Sequence, residues 1–472
     1  MKKILSLFIF VTIINQVQAQ VYSWAKNYGN LGSFSGKDMV IDDLDNIYTV
    51  GSFSDEINFS DNPNNSLLSK GNHDIYINKL NKLGEHLWSL RIGGKNSDQA
   101  KRILYDSQDN LIIGGSFGGG EIDFDPRINE YILENDLTND QFILKLSSNG
   151  EFIWINHIRD GEISDLVFDE KGNIYAIGQF QNEITFEING ELQTKSATNL
   201  RDSYIQKIDP QGKTLWVKTL SGNGNEMVKT IKVDSEGNIY CAGVFEETTD
   251  FDPSSEDFLL QSKGNYDLFL LKMNSEGEFL WANSKGSPKN DLSPLIEIRS
   301  DNQIYFIGKL NRDISMNLID ATGSEVWSKI IPRIANSDYV DIDHILVDEN
   351  NYFFLAGDII GNIDFDPSDE LTILSTNTSM DGESNCFVAQ YNNDGALVWV
   401  NQIIGDQYEG CRSMDLDSNK DLILLGYFAS TIEINSEGFS FFAEAQSYRN
   451  DIFLAKILNN ISAKSEELNT SK

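Results

Sequence analysis

Three copies of one phrase, Asp-Phe-Asp-Pro, carry the most suggestive side chains in this sequence: Asp123/Asp125, Asp250/Asp252 and Asp364/Asp366. In extended backbone, residues i and i+2 point to the same side with Cα atoms roughly 6.5–7 Å apart. Each pair therefore offers two carboxylates to one hard cation, and oxygen ligands of this kind suit Ca²⁺. The same phrase also reads as turn chemistry, with Phe buried, Asp capping a turn and Pro ending a strand. A second acidic group, Asp98, Glu226, Asp291 and Glu409, precedes the same apolar run in four copies, with Asp38, Asp165 and Asp341 nearby in others. If these carboxylates converge on a channel mouth, they attract a cation or raise one another's pKa values. If they do not, they cap backbone N–H groups at loop ends.

Nucleophilic and zinc chemistry find no support. The four histidines, His73, His86, His157 and His344, are scattered without metal-ligand spacing. Neither a nucleophile elbow nor a nucleotide-binding loop is present. Paired carboxylates of the glycoside-hydrolase kind are compatible with so acidic a chain, although the abundance of acids makes that signal weak. The cysteines are Cys241, Cys386 and Cys411, an odd number that does not form a disulfide framework. They read mainly as packed thiols, with a Cys386–Cys411 bridge left open.

The elements that position these residues repeat. Seven tryptophans, Trp24, Trp88, Trp154, Trp216, Trp281, Trp327 and Trp399, fall 46 to 72 residues apart. A glycine column (Gly51, Gly115, Gly178, Gly243, Gly308, Gly357, Gly426) ends one apolar run per copy, which marks a bend or a close approach. The Trp indole or a neighbouring sheet is the expected occupant. A third run opens with Asp74, Asp140, Asp202, Asp267, Asp313, Asn385 or Asp451, and most copies place a lysine five residues on (Lys79, Lys145, Lys207, Lys272, Lys456). Runs of four to eight apolar residues between Gly/Asn/Asp turns are strands, and long helical periodicity is absent. Four strands per copy and seven copies predict an all-β fold, a seven-bladed β-propeller of four-stranded antiparallel blades. The Trp24 strand has no preceding partner, so it is expected to close the ring on the C-terminal strand near residue 455. The Trp281–Trp327 copy lacks the acidic insert, which makes the insert look like decoration.

At 472 residues and a formal net charge of −35, the chain repels nucleic acid and anionic lipid. Lys2-Lys3, the apolar stretch Ile4 to Ile14 and Val17-Gln18-Ala19 read as a secretory signal. The expected organisation is signal peptide 1–19, propeller 20–458 and polar tail 459–472. No transmembrane helix and no lipidation cysteine are expected, so the predicted destination is secreted, periplasmic or cell-surface, as a monomer.

The phrases Asp234-Ser235-Glu236-Gly237-Asn238-Ile239-Tyr240-Cys241-Ala242-Gly243, Asp250-Phe251-Asp252-Pro253 and Asp267-Leu268-Phe269-Leu270-Leu271-Lys272 together resemble the bacterial seven-bladed β-propeller repeat (SBBP) proteins. That resemblance covers almost the whole chain past the signal. It implies a secreted or surface propeller and transfers no catalytic residue. The turn-Trp phrases ending in Trp216 and Trp327 also look like quinoprotein propeller repeats, whose catalytic members use a quinone and calcium. The resulting expectation is an exported, non-enzymatic scaffold that binds a protein or glycan through its acidic insert-bearing face, with no certain cofactor beyond the allowed Ca²⁺. The alternative is an extracytoplasmic enzyme, a quinoprotein-like oxidoreductase or a carbohydrate-active hydrolase or lyase, working at the channel mouth.

Overall fold

The computed structural model describes residues 20–459 apart from 30–31, 61, 126, 128, 136–138, 199, 255, 377–382 and 446–449. The expected signal segment and all but the first residue of the expected tail lie outside the described residues.

The chain is all-β and built from four-strand antiparallel units. Unit A comprises Phe34–Ile41, Ile47–Phe53, Asp74–Leu80 and His86–Ile92. Unit B comprises Asp98–Tyr105, Asn110–Phe117, Asp140–Ser147 and Phe152–Arg159. Unit C comprises Glu162–Phe168, Ile174–Phe180, Asp202–Ile208 and Thr214–Gly222. Unit D comprises Glu226–Val233, Ile239–Asp250, Leu259–Met273 and Phe279–Lys285. Unit E comprises Leu292–Ile298, Ile304–Leu310, Asp313–Ile319 and Glu325–Ile331. Unit F comprises Tyr339–Val347, Phe353–Ile360, Asn385–Tyr391 and Leu397–Gly405. Unit G comprises Glu409–Leu416, Leu422–Phe428, Asp451–Leu458 and, as its outer strand, Val21–Tyr28. The pairing of Trp24 with Lys456 in unit G is the closure expected from the frame of the repeats. The first strand of each unit packs on the first strands of its two neighbours, and the circuit returns from G to A.

Local sequence explains the turns. In unit D, one carboxylate oxygen of Asp234 accepts the amides of Glu236 and Asn238 at 3.0 and 2.8 Å, while Gly237 takes φ +84°. The other oxygen accepts the Tyr240 hydroxyl at 3.2 Å and faces Lys272 Nζ at 4.0 Å. Lys272 also lies 4.9 Å above the Tyr240 ring. The lysine column thus pins the third strand to the first turn of its own unit, as Lys145 does on Asp106 at 2.8 Å.

The tryptophans hold neighbouring units together. Trp24 lies on Gly84, Trp88 on Gly150, Trp154 on Gly212, Trp216 on Gly277, Trp281 on Gly323 and Trp327 on Gly395, in each case a turn glycine of the next unit with positive φ. The apolar core likewise sits between units. Ile75 and Ile77 of unit A pack with Ala100, Ile103 and Leu111 of unit B, and Met39 and Ile47 of unit A pack with Leu425 and Leu454 of unit G.

The glycine column has a different occupant from the one expected. Every first strand carries a β-bulge at the same register, and in six units it lies opposite this glycine. The bulge pushes a carbonyl oxygen towards the glycine: a Cβ at Gly51, Gly115, Gly178, Gly243, Gly357 or Gly426 would come inside 3.0 Å of that oxygen. Aromatic rings of the third strand, Tyr76, Phe142, Tyr204, Phe269 and Phe453, close the same space at five of these positions. The indole covers the turn glycine instead.

The inserts, called straps below, also need correction, because those of units C, D and G pair with the preceding unit. Hairpins such as Glu183–Ile188 with Glu191–Ser196, and Thr431–Ser436 with Phe439–Glu444, pair across to the outer strand of the preceding unit. Ile158 pairs with Phe186, Ser221 with Asp250 and Ile404 with Glu433. Only unit E among the described units turns directly, through Asn311 and Arg312 in left-handed backbone. Covering outer edges in this way blunts strands that would otherwise recruit other chains.

Cys386 of unit F and Cys411 of unit G form a disulfide with Cα atoms 5.4 Å apart, the bridge that the sequence left open beside its main reading of packed thiols. Cys241 is a buried free thiol. A cross-link spanning 25 residues is worth about 3 kcal/mol on chain-entropy grounds.

Gly178→Ala should cost about 2 kcal/mol, because the new methyl meets the Glu162 carbonyl oxygen and the Tyr204 ring at once. Chemical-denaturation midpoints measure this, and a change below about 0.5 kcal/mol would show that the bulge does not dictate glycine.

Candidate functional site: the mouth of the central channel

The first strands ring one cavity of about 240 Å³, to which each described unit contributes a residue: Asp38, Arg102, Asp165, Lys232, Glu297, Asp343 and Asp415. A wider cavity of about 540 Å³ opens beside it, lined among others by Lys101, Glu162, Ser164, Lys229, Lys309, Tyr339, Asp341 and Asp343. This mouth lies on the strap-bearing side. Asp98, the first residue of its strand, accepts both the Gly94 amide from the inter-unit loop at 2.7 Å and the Gly118 amide from the start of a strap at 3.1 Å.

The bulges decide what faces the mouth. An extra residue in a strand is unpaired and re-aims its side chain. The bulged residues are Lys37, Lys101, Ser164, Lys229, the Ser293–Pro294 pair, Asp343 and Arg412. In a chain with 37 basic and 72 acidic residues, this register is conspicuously cationic. Lys101 pairs with Glu162 at 2.9 Å, Lys309 with Asp341 at 2.7 Å, and Arg412 with Asp343. Burial opposes the charge on Asp341, but Lys309, Ser293 and Tyr339 outweigh it and hold the carboxyl below its usual range. Burial, then the nearby Asp343 charge, pushes Asp358 up to about 7, and the two carboxyls share a hydrogen bond. Deeper down, Arg102 meets Asp165 at 3.0 Å and Lys232 meets Glu297 at 2.5 Å. Burial and two neighbouring cations depress His344 to about 3, so it stays neutral.

The second acidic group of the sequence does not assemble there. Asp98, Glu226, Asp291 and Glu409 are buried at four separate junctions between units, and none lines either cavity. Asp291 accepts the Ser287 amide and hydroxyl and the Asn311 amide, at 2.5, 2.8 and 2.7 Å. Glu226 accepts the Thr249 hydroxyl at 2.8 Å. Desolvation raises Asp98 to about 6 and both Glu226 and Glu409 to about 8. Their companions Asp38, Asp165 and Asp341 do reach the channel.

The Asp-Phe-Asp-Pro carboxylates lie in the straps. One oxygen of Asp123 accepts the amides of Asp125 and Tyr131, Asp250 those of Asp252 and Phe258, and Asp364 those of Asp366 and Thr372, all between 2.8 and 3.2 Å. Asp252 and Asp366 each cap a further serine amide. Phe124, Phe251 and Phe365 are fully buried against Phe142, Phe269 and Phe387 of the third strands. Among the described residues, no group of three or more His, Cys, Asp or Glu side chains is placed to hold a metal ion.

Sequence reasoning missed the cations at the mouth. The available signal was the position three residues into each first strand, where Lys37, Lys101, Lys229 and Arg412 recur.

A closed circuit of four-strand antiparallel units around an axial cavity defines a β-propeller repeat protein. No protein-family model matches the chain. It is 22% identical over 440 residues to an uncharacterized WD repeat-containing protein of Acanthamoeba polyphaga mimivirus, a match covering 74% of this chain and 31% of the relative's length. Among solved structures it is similar to the Dos1 propeller (10% identity, TM-score 0.44, 91% of this chain and 93% of that one). It is also similar to a catalytically inactive virginiamycin B lyase from Staphylococcus aureus with quinupristin (10%, TM-score 0.43, 92% and 100%) and to the Pan2 WD40 domain of Neurospora crassa (11%, TM-score 0.39, 77% and 90%). Among the described residues, no helix is long and apolar enough to cross a membrane.

Because the folded state holds Glu226 protonated up to about pH 8, this group favours folding below its unfolded pKa, and that contribution is lost as pH rises towards 8. Glu226→Gln should therefore match the parent near pH 5 and gain on it near pH 8 in urea midpoints. A pH-independent difference would refute the assignment. If backbone capping alone accounts for the strap aspartates, the melting temperature is the same in chelator and in millimolar calcium. A rise with calcium would restore a metal role for Asp123/Asp125, Asp250/Asp252 and Asp364/Asp366.

Proposed function

We propose that the chain is an exported, non-enzymatic propeller of seven blades, units A to G, of the bacterial SBBP repeat kind, and that it captures a protein or glycan on its strap-bearing side. The carrying observation is the set of large apolar residues that the straps expose. Leu68, Ile132, Leu192, Leu259, Leu371 and Phe442, one from each strap, are 51–75% exposed. Each strap thus offers one large apolar side chain to solvent, surface that contact with a partner would bury. The disulfide between units F and G supports export, since such bonds persist in oxidising compartments.

A second reading, catalysis at the mouth, is favoured by one feature: Asp343 and Asp358 share a hydrogen bond, and burial with the Asp343 charge raises the Asp358 carboxyl in the direction a general acid requires.

The quadruple variant Leu68→Ser/Leu192→Ser/Leu371→Ser/Phe442→Ser should unfold within about 0.5 kcal/mol of the parent, because these side chains face solvent. It should also lose retention on a glycan array or on a partner purified from the cell envelope. Undiminished retention would dismiss the straps as the contact. Turnover of a polysaccharide panel that Asp358→Asn abolishes would favour the enzyme.

A further inference from the structure

Two lysines near the mouth make no direct ion pair among the described residues. Lys37 and Lys229 stand at equivalent bulges in units A and D, and among the described residues neither has an ion pair or a side-chain hydrogen bond. Their surroundings do not supply one. Lys37 faces Arg412, Lys101 and Arg102 as well as Asp343, and Lys229 faces Lys101 and Arg201 as well as Glu162. Each nearby acid is already engaged, Glu162 by Lys101 at 2.9 Å and Asp343 by Arg412. Desolvation, compounded by like charges, lowers the pKa of both lysines. This local cationic surplus sits inside a chain whose formal charge is −35.

We propose that the channel mouth is a binding site for a small oxyanion, a carboxylate, sulfate or phosphate group, held by Lys101 and Lys229, which line the wider cavity, with Lys37 and Arg412 beside Lys101 outside that lining. An oxyanion there accepts charge-assisted hydrogen bonds, which are shorter and stronger than neutral ones, and cancels the repulsion among the lysines. The 540 Å³ cavity admits a sugar-sized ligand. The acidic exterior repels an extended polyanion, so the site selects one or two negative charges on a compact molecule. Ser164 and Ser293, the small residues at the equivalent bulges of units C and E, leave room between the cations, and Ser164 adds a hydroxyl, whereas that of Ser293 donates to Asp341 at 2.6 Å. This inference rests on the reading of the strap-bearing side as the binding side, but it concerns the mouth and not the straps.

The test uses the full chain and needs no partner. Melting temperature is followed against sodium sulfate and against inorganic phosphate at constant ionic strength balanced with chloride. Calorimetric titration with glucuronate, and with glucose as neutral control, then separates a ligand-borne carboxylate from a free inorganic ion. The parent should be stabilised by at least one of the three anions and not by glucose. Lys37→Gln/Lys229→Gln should melt at or above the parent without anion and bind at least tenfold more weakly. Lys82→Gln/Lys171→Gln, on exposed turns of the opposite side and equal in charge change, should respond as the parent does. A parent that ignores all three anions, or a Lys37/Lys229 variant with an undiminished response, overturns the site. Either result leaves the strap reading standing, because the quadruple strap variant tests that separately.

Discussion

The molecule turns on one steric fit, the carbonyl of a bulged first strand against a glycine of the second. Without the bulge, Lys37, Lys101, Lys229 and Arg412 would alternate in or out like any strand residue, with no reason to share a register at the mouth. Without the glycine, the second strand could not approach closely enough to keep the ladder on both sides of the bulge. The third-strand aromatics fill the hollow that remains, so strand geometry, core packing and the lining of the channel follow from the same contact.

Charge is distributed with equal regularity. Most aspartates that recur in the repeat accept backbone amides, as Asp42, Asp106, Asp169, Asp234, Asp348 and Asp417 do at the first turn of their units. Short polar side chains hold such turns because they bond the amides two and four residues on. Part of the strongly negative composition is therefore turn construction repeated many times. The informative charges are the few basic ones that the axis collects.

The architecture was legible because periodic signals survive in the sequence. The tryptophans, the turn phrases and the unpaired Trp24 strand each map onto one structural role. The strap was harder to read, because unit E dispenses with it, and only the pairing of Ile158 with Phe186 and its counterparts exposes its bracing role. Glu226 and Glu409 misled because a carboxylate at the start of a first strand has two directions available, towards the axis or into the seam. The markers of the bulge, a glycine in the second strand and a basic residue three positions into the first, lie away from the carboxylate itself. Cys386 and Cys411 lie in consecutive copies, which left their bridge open in the sequence, while an odd count of three weighed towards thiols.

The seam within unit G has a temporal side. Val21–Tyr28 hydrogen-bonds to Asp451–Leu458 and to no strand of another unit among the described residues, so during synthesis it has no partner until Asp451–Leu458 arrives. Contacts separated by nearly the whole chain form slowly, since loop closure must precede any gain from pairing. A growing polypeptide thus carries two unsatisfied edges, one at each end of an open arc, throughout its elongation. Any helper that shields the nascent N-terminal segment acts on the step that decides between a shut circle and edge-to-edge aggregation.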